Sequence, residues 1–372
     1  MKFRNYFYKL VVAIGLILTI AACAGKFDSP TGTLHQQSIG SISPVKRANC
    51  QQIEHTAGTT QVCDRLAARS RVRPQRIVVL GPYILEPLLA LGLQPVAFGD
   101  YAALHRGDYT NPSQQIPYLG KRIAGSLGNV GMVGTPSIEA IVKAKPDLIL
   151  GLNIANTQHY PILSKIAPTL ILKWGDANGN LQTIAKAVNR TERAAEILRE
   201  TKQQITTARQ AFAPLVATAP KLLMLISSDL REVGLVTKIH DRCRSLPQDL
   251  GFQLVYPQQS GQAPPETFAP ISIETFPELD AADAIVLLGH NFRNVSASTL
   301  ANGFEEYQLT KLQQAWKRNP IARSLKASKA GKVYFMPSYM CLALPGPIGT
   351  QLYLEEFKKQ LLSTKSGASL RQ

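Results

Sequence analysis

Short apolar runs, often β-branched, alternate with helical patterns through most of this chain. Ile77-Val78-Val79-Leu80 reads as a buried strand, stopped by Gly81-Pro82. Leu85, Leu88, Leu89 and Leu91 follow at helical spacing, and Gly92 ends that helix. Pro95-Val96-Ala97-Phe98 is the next strand, and Asp147-Leu148-Ile149-Leu150 and Thr169-Leu170-Ile171-Leu172 give two more. After residue 220 the alternation restarts, with strands predicted at Leu222 to Ile226, Phe252 to Val255, Ala284 to Leu288 and Val333 to Met336. Strands that alternate with helices build parallel sheets covered on both faces. The fold class is therefore α/β, with two Rossmann-like lobes of mostly parallel sheet, one for each set of strands.

Two lobes need a join. Residues 181–213 hold neither Gly nor Pro and are dense in Ala, Glu, Arg, Lys, Gln and Leu, all good helix formers. Ile184, Val188, Ala195, Leu198 and Ile205 give them a broken apolar stripe. One helix of about thirty residues would span about 45 Å, a stiff strut that limits how far the lobes can move. The organisation is then an N-terminal lobe at 49–180, a linker helix at 181–213 and a C-terminal lobe at 214–362.

The two ends read differently. Lys2, Arg4 and Lys9 precede the apolar run from Leu10 to Ala22, which is too short to span a bilayer and has the length of a signal-peptide core. Ile20-Ala21-Ala22-Cys23 has the form of a bacterial lipobox. Residues 1–22 are read as a lipoprotein signal peptide and Cys23 as the lipidated residue that holds the protein to the membrane of the cell envelope. Residues 23–48, rich in Ser, Gly, Thr and Pro, form a flexible tether, and 363–372 form a frayed tail.

Export changes the meaning of the cysteines. Apart from Cys23 there are four, Cys50, Cys63, Cys243 and Cys341, an even number for an oxidising compartment. Cys50 and Cys63 are the local pair, and a bridge between them is worth about 3 kcal/mol through loop entropy. Cys243 and Cys341 are the remaining pair, which only the fold can bring together. Free buried thiols are the alternative.

The 372 residues carry a net charge of +16, of which the signal segment supplies three, so the basic character belongs to the mature protein. Such a balance favours nucleic acid, anionic lipid or an acidic small molecule. There is no zinc-finger spacing, RNP-like aromatic motif or dense Lys/Arg block, and the reading is no nucleic acid. There is also no G-x-S-x-G elbow, H-E-x-x-H, P-loop or G-x-G-x-x-G after the first strand. The chain is read as no enzyme, a hydrolase-like protein being the alternative of another class. The six His residues fall in different loops, which gives no metal site and no resident cofactor.

One phrase occurs twice. Pro136-Ser137-Ile138-Glu139 precedes a helical stretch and the strand opened by Asp147; Ile271-Ser272-Ile273-Glu274 precedes another and the strand opened by Asp283. One copy falls in each lobe, which supports lobes of related architecture. Ser as N-cap and Glu in the first turn explain both copies locally. Glu139 and Glu274 also suit two exposed acids at matching tips, able to pair with basic residues of a membrane partner.

Several stretches together resemble the periplasmic binding proteins for iron siderophores and cobalamin that serve ABC importers. They are Arg76 to Leu80 with Glu86 to Val96, Pro136 to Ile141 with Lys145 to Leu150, Gly331 to Tyr334, and the closing helix from Gly346-Pro347 through Leu354. The resemblance covers about residues 50–362. It implies two lobes joined by one long α-helix, a ligand cleft between them, and little lobe movement on binding. It implies a monomer that hands its ligand to an ABC permease dimer, with Glu139 and Glu274 as the docking acids, and a ferric siderophore as ligand. Cobalamin and haem are the alternatives, with His105, His159, His290 or one of several Tyr as an axial ligand for haem.

Open α/β sheets bind ligands at the C-terminal ends of their strands. The loops there supply Tyr83, Tyr101, Arg106, Trp174, Arg231 and Arg293, and Arg122 and Arg242 are further cations. Arg would meet chelate oxygens, and Tyr and Trp its flat apolar surfaces. Hydroxamate-binding relatives carry an Arg in the turn before the first docking helix, where this chain has Val133 in Gly131-Met132-Val133-Gly134-Thr135. That puts a hydroxamate site in doubt and favours a catecholate or carboxylate chelate.

Overall fold

The computed structural model describes residues 49–67, 70–256 and 269–362. The signal segment 1–22, Cys23, the tether 23–48 and the tail 363–372 lie outside them. Strands β1 (Cys50–His55) and β2 (Gly58–Cys63) pair antiparallel with Cys50 opposite Cys63. Each has a single fully buried residue, Ile53 or Val62, so no apolar alternation marks them in the sequence. β3 (Arg65–Ala67) and β4 (Ser70–Val72) form a second antiparallel pair.

The N-terminal lobe is built on β5 (Ile77–Leu80), β6 (Pro95–Asp100), β7 (Gly128–Met132), β8 (Thr135–Pro136), β9 (Leu148–Leu152) and β10 (Thr169–Leu172). Their order is β10-β9-β5-β6-β7-β8, parallel except for the β7–β8 pair. β5, β9 and β10 are buried along their whole length, which is why they read as continuous apolar runs. The chain winds outward from β5 through β6 to β8, then reverses to β9 on the other side of β5. Such a reversal opens a crevice at the strands' C-terminal ends.

The C-terminal lobe holds β11 (Lys221–Ser227), β12 (Val233–Leu235), β13 (Gln253–Leu254), β14 (Ala269–Ile271), β15 (Ala284–Gly289) and β16 (Val333–Pro337). The order is β14-β12-β11-β15-β16, and β13 pairs with the start of β11. β11, β15 and β16 run parallel, while β12 and β14 are antiparallel additions of three residues each. The architecture is thus the expected α/β pair of lobes, with short antiparallel edges that no apolar run foretold.

The expected single helix over 181–213 is two helices, Ala177–Ala187 and Thr191–Thr218. Between them Asn189 adopts a left-handed conformation (φ 53°), which Asn tolerates better than most residues. The Arg190 guanidinium then donates to the Leu91 carbonyl at 2.7 Å and fixes the joint. The second helix has 28 residues, about 42 Å. Its Ala194 and Ile197 pack into the N-terminal core, its Ala208 and Phe212 into the C-terminal one. It is the strut, displaced by some ten residues at its start.

The strut is not alone. Leu300, Phe304, Tyr339 and Ile348, all late in the chain, belong to the N-terminal core. The closing helix Pro347–Phe357 packs against both the long helix and the first helix, Pro82–Ala90.

The repeated phrase has a structural counterpart. Asp147 accepts from the amides of Gln75 and Arg76 at 3.0 and 2.8 Å, just before β5. Asp283 accepts from the amide of Lys221 at 2.9 Å, at the start of β11. In each lobe the Asp that opens one strand also caps the start of its neighbour. The helices between differ. Ser137 caps an α-helix, Ile138–Ala144, by accepting from the Ala140 amide at 3.2 Å. Ser272 precedes a 3-10 helix, Ile273–Leu279, because Pro277 has no N–H to close an α-turn onto Ile273.

Candidate ligand-binding cleft

The C-terminal ends of the two sheets face each other across a cavity of about 560 Å³. The N-terminal lobe contributes Tyr101 and Leu104 after β6, Val133 between β7 and β8, and Trp174 after β10. The C-terminal lobe contributes Ser227 at the end of β11 and Ser228 beyond it, Glu232 before β12 and His240 after it, His290 and Phe292 after β15, and Tyr339 after β16. This volume lies within the range of small-molecule sites. A second basin of about 770 Å³, lined by Arg76, Lys145 and Lys165, is shallow and sits at the opposite ends of the strands.

Trp174 is held in place from two sides. Its amide donates to Asn153 Oδ1 at 2.8 Å, and its ring stacks on Tyr83 with centroids 4.6 Å apart. The Tyr83 hydroxyl accepts from the Gly175 amide at 2.9 Å, and burial holds its pKa above the usual phenol value. Across the cleft, Tyr118, Phe292, Phe304 and Tyr339 form a ring cluster with centroids 5.3 to 6.2 Å apart. Tyr118 comes from the N-terminal half and the other three from the C-terminal half, so the cluster closes one end of the gap.

Two imidazoles line the C-terminal wall. The Thr237 amide donates to His240 Nδ1 at 3.0 Å, so the neutral ring carries its proton on Nε2. His290 Nδ1 lies 3.1 Å from Ser338 Oγ, and its ring meets Phe292 edge-on at 4.4 Å. Burial depresses the pKa of His240, and burial together with the nearby His240 depresses that of His290 to about 4. Although His290 is open to the cavity, protein crowds it on most sides. Among the described residues no three His, Cys, Asp or Glu side chains gather into a metal-holding cluster.

A family model described as Periplasmic binding protein matches residues 77–340. The chain belongs to this family. Among curated proteins it is similar to the Bacillus subtilis protein named "Probable siderophore-binding lipoprotein YfiY", 24% identical over 97% of this chain and 100% of that one. It is 27% identical to the Fe(3+)-citrate-binding protein YfmC of the same organism, over 70% of this chain and 72% of the relative. In structure it is similar to SirA of Staphylococcus aureus, solved with staphyloferrin B. That match has a TM-score of 0.64 and 20% identity, covering 84% of this chain and 98% of SirA. It is also similar to FeuA of Bacillus subtilis, solved with ferri-bacillibactin, at a TM-score of 0.59.

Within this periplasmic binding protein fold, the residues singled out from the sequence separate into groups. Tyr101 and Trp174 line the cavity, and Tyr83 stands directly behind Trp174. The five arginines do not line it. Arg106 donates to the carbonyls of Ala103, His105 and Val295, fastening one lobe to the other. Arg242 is buried beneath the cleft and donates to the Pro345 carbonyl at 3.2 Å. Arg231 is exposed and paired with Asp229 at 2.5 Å, and Arg122 and Arg293 are exposed outside the cavity. Glu139 and Glu274 are both exposed. Disulfides join Cys50 to Cys63 and Cys243 to Cys341.

Phe292 and His290 sit in a loop the sequence did mark, after the strand Ala284 to Leu288. Tyr339 follows β16 and obeys the same strand-end rule. His240 gave no signal, because it follows β12, a three-residue antiparallel strand.

Proposed function

We propose that this chain is a lipid-anchored solute-binding protein that captures a ferric siderophore and delivers it to an ABC importer. The observation that carries the reading is the interlobe cavity, walled by Tyr101 and Trp174 on one side and Phe292 and Tyr339 on the other. Flat rings of this kind suit the face of a bulky chelate. With no metal-holding cluster among the described residues, iron enters as a preformed complex. The names of the two Bacillus relatives, one for siderophore and one for ferric citrate, support the same ligand class. In this reading the protein is a monomer that binds and releases without catalysis, and its partners do not include nucleic acid. Cys23 carries the lipid, the tether spans the gap to the domain, and Glu139 and Glu274 dock on the two subunits of the permease.

The test is calorimetric titration of the full chain in detergent with ferric hydroxamate, catecholate and citrate complexes, cobalamin, haem and free ferric ion. The expected result is saturable one-to-one binding of a ferric chelate. Binding of cobalamin, haem or the free ion with none of the chelates rejects the proposal.

A further inference from the structure

The net charge of +16 suggests a cleft built for anions, but the charges lie elsewhere. Among the described residues that line the cavity there is no Lys or Arg, and the one carboxylate is Glu232. Residues 257–268 add Glu266 to the sequence and no Lys or Arg. The nearest guanidinium groups are engaged. Arg106 is taken up by three carbonyl oxygens and Arg242 by that of Pro345, with Asp249 at 3.9 Å. Exposed cations such as Arg122 and Arg293 act through solvent, where salt screens their field over about 8 Å at physiological ionic strength. In the turn between β7 and β8 the side chain that faces the cavity is the apolar Val133.

The polar groups that remain are neutral. His240 offers an Nε2–H, because its Nδ1 is already accepting from the Thr237 amide. Ser228 offers a hydroxyl, and His290 faces the same space without a carboxylate partner to hold a proton on it. A wall of rings, neutral donors and one carboxylate opposes a highly charged anion, which would shed its hydration with no cation to replace it.

We infer that the cleft selects a ferric chelate of little or no net charge over strongly anionic ones. Three hydroxamates, each singly charged, cancel Fe(III), whereas three catecholates, each doubly charged, leave three negative charges. The chemical class is therefore a hydroxamate or mixed hydroxamate chelate with an apolar periphery. This rests on the ferric-siderophore reading above, and it departs from the expectation of an arginine-lined catecholate or carboxylate site and from the doubt that Val133 cast on a hydroxamate, because the cavity lining holds no cation for an anionic chelate.

The experiment compares dissociation constants of the full chain for a neutral ferric trishydroxamate, a ferric triscatecholate and ferric citrate, at low and high salt. The trishydroxamate should bind at least about tenfold more tightly than either anion, with little salt dependence. Glu232→Gln should narrow the ratio by improving the anions more than the neutral chelate. His240→Gln, which keeps an N–H donor, should retain more affinity for the trishydroxamate than His240→Leu. A triscatecholate or citrate complex as the tightest ligand, or equal affinity for all three, overturns the inference and leaves the functional reading standing. Failure of every ferric chelate to bind overturns both.

Discussion

The Glu86 carboxylate accepts a hydrogen bond of 2.6 Å from the amide of Ile348, 262 residues further along the chain. Glu86 is fully buried in the first helix, and Ile348 lies in the first turn of the closing helix. A carboxylate there meets the free amides and positive end of that helix. The contact requires a glycine beside it, since a Cβ on Gly346 would come within 1.8 Å of Glu86 Oε2. Glu86→Ala should cost about 2 kcal/mol by leaving buried amides unpaired, measured by urea unfolding. A change of a few tenths would mean that the amides find other partners.

Burial lifts the pKa of Glu86 to about 7 and that of Asp100 to about 7. Each folded carboxyl keeps a proton that the unfolded chain has already lost, from about pH 4 upward. Their contribution is complete below the ordinary carboxyl pKa and is lost as pH rises toward 7. His290, lowered to about 4, works in the opposite sense together with His55 and His240, which burial also lowers, but burial raises Asp241, Asp249 and Glu305 as well, so raised carboxyls outnumber lowered imidazoles five to three. The melting temperature should therefore fall from pH 5 to pH 7. Asp100→Asn keeps the acceptor for the Tyr101 amide and should flatten the curve. A wild-type curve that rises over this window contradicts the assignment.

Only one of the two tryptophans reaches the cavity. Trp174 lines it, while Trp316 is buried in the C-terminal core with its Nε1 donating to Ser328 Oγ at 3.2 Å. A bound ferric chelate should quench Trp174 emission. Trp174→Phe should remove most of that quenching and Trp316→Phe should keep it. Quenching that survives loss of Trp174 would place the ligand elsewhere.

Glu139→Ala combined with Glu274→Ala should abolish uptake of the ferric chelate into cells while leaving affinity in solution within about twofold. Both acids are exposed and neither lines the cavity. A matching loss of affinity would assign them to the ligand instead.

The two disulfides close loops of different size, with separations of 13 and 98 residues. Cys243→Ser with Cys341→Ser should cost more stability than the Cys50/Cys63 double variant, about 4–5 against about 3 kcal/mol from loop entropy. Chemical unfolding of the two variants gives the comparison, and the reverse order would point to residual structure in the unfolded chain.

The fully buried strands were legible from the sequence. Ile77–Leu80 and Ala284–Gly289 are buried on both faces, so composition alone marks them, and the matching Asp147 and Asp283 mark the lobe repeat. Edge strands such as Val233–Leu235 were not, because three residues carry no period. The long helix was legible in kind but not in extent, since nothing at Asn189 announces a left-handed residue until Arg190 has a carbonyl to reach. The candidate site divided along the same line. Strand ends placed Tyr101 and Trp174 at the cleft through local order alone. Whether an arginine faces a ligand or a carbonyl depends on neighbours far away in sequence. Arg106 is spent on Val295 and Arg242 on Pro345 for that reason, and only the tertiary structure decides such pairings.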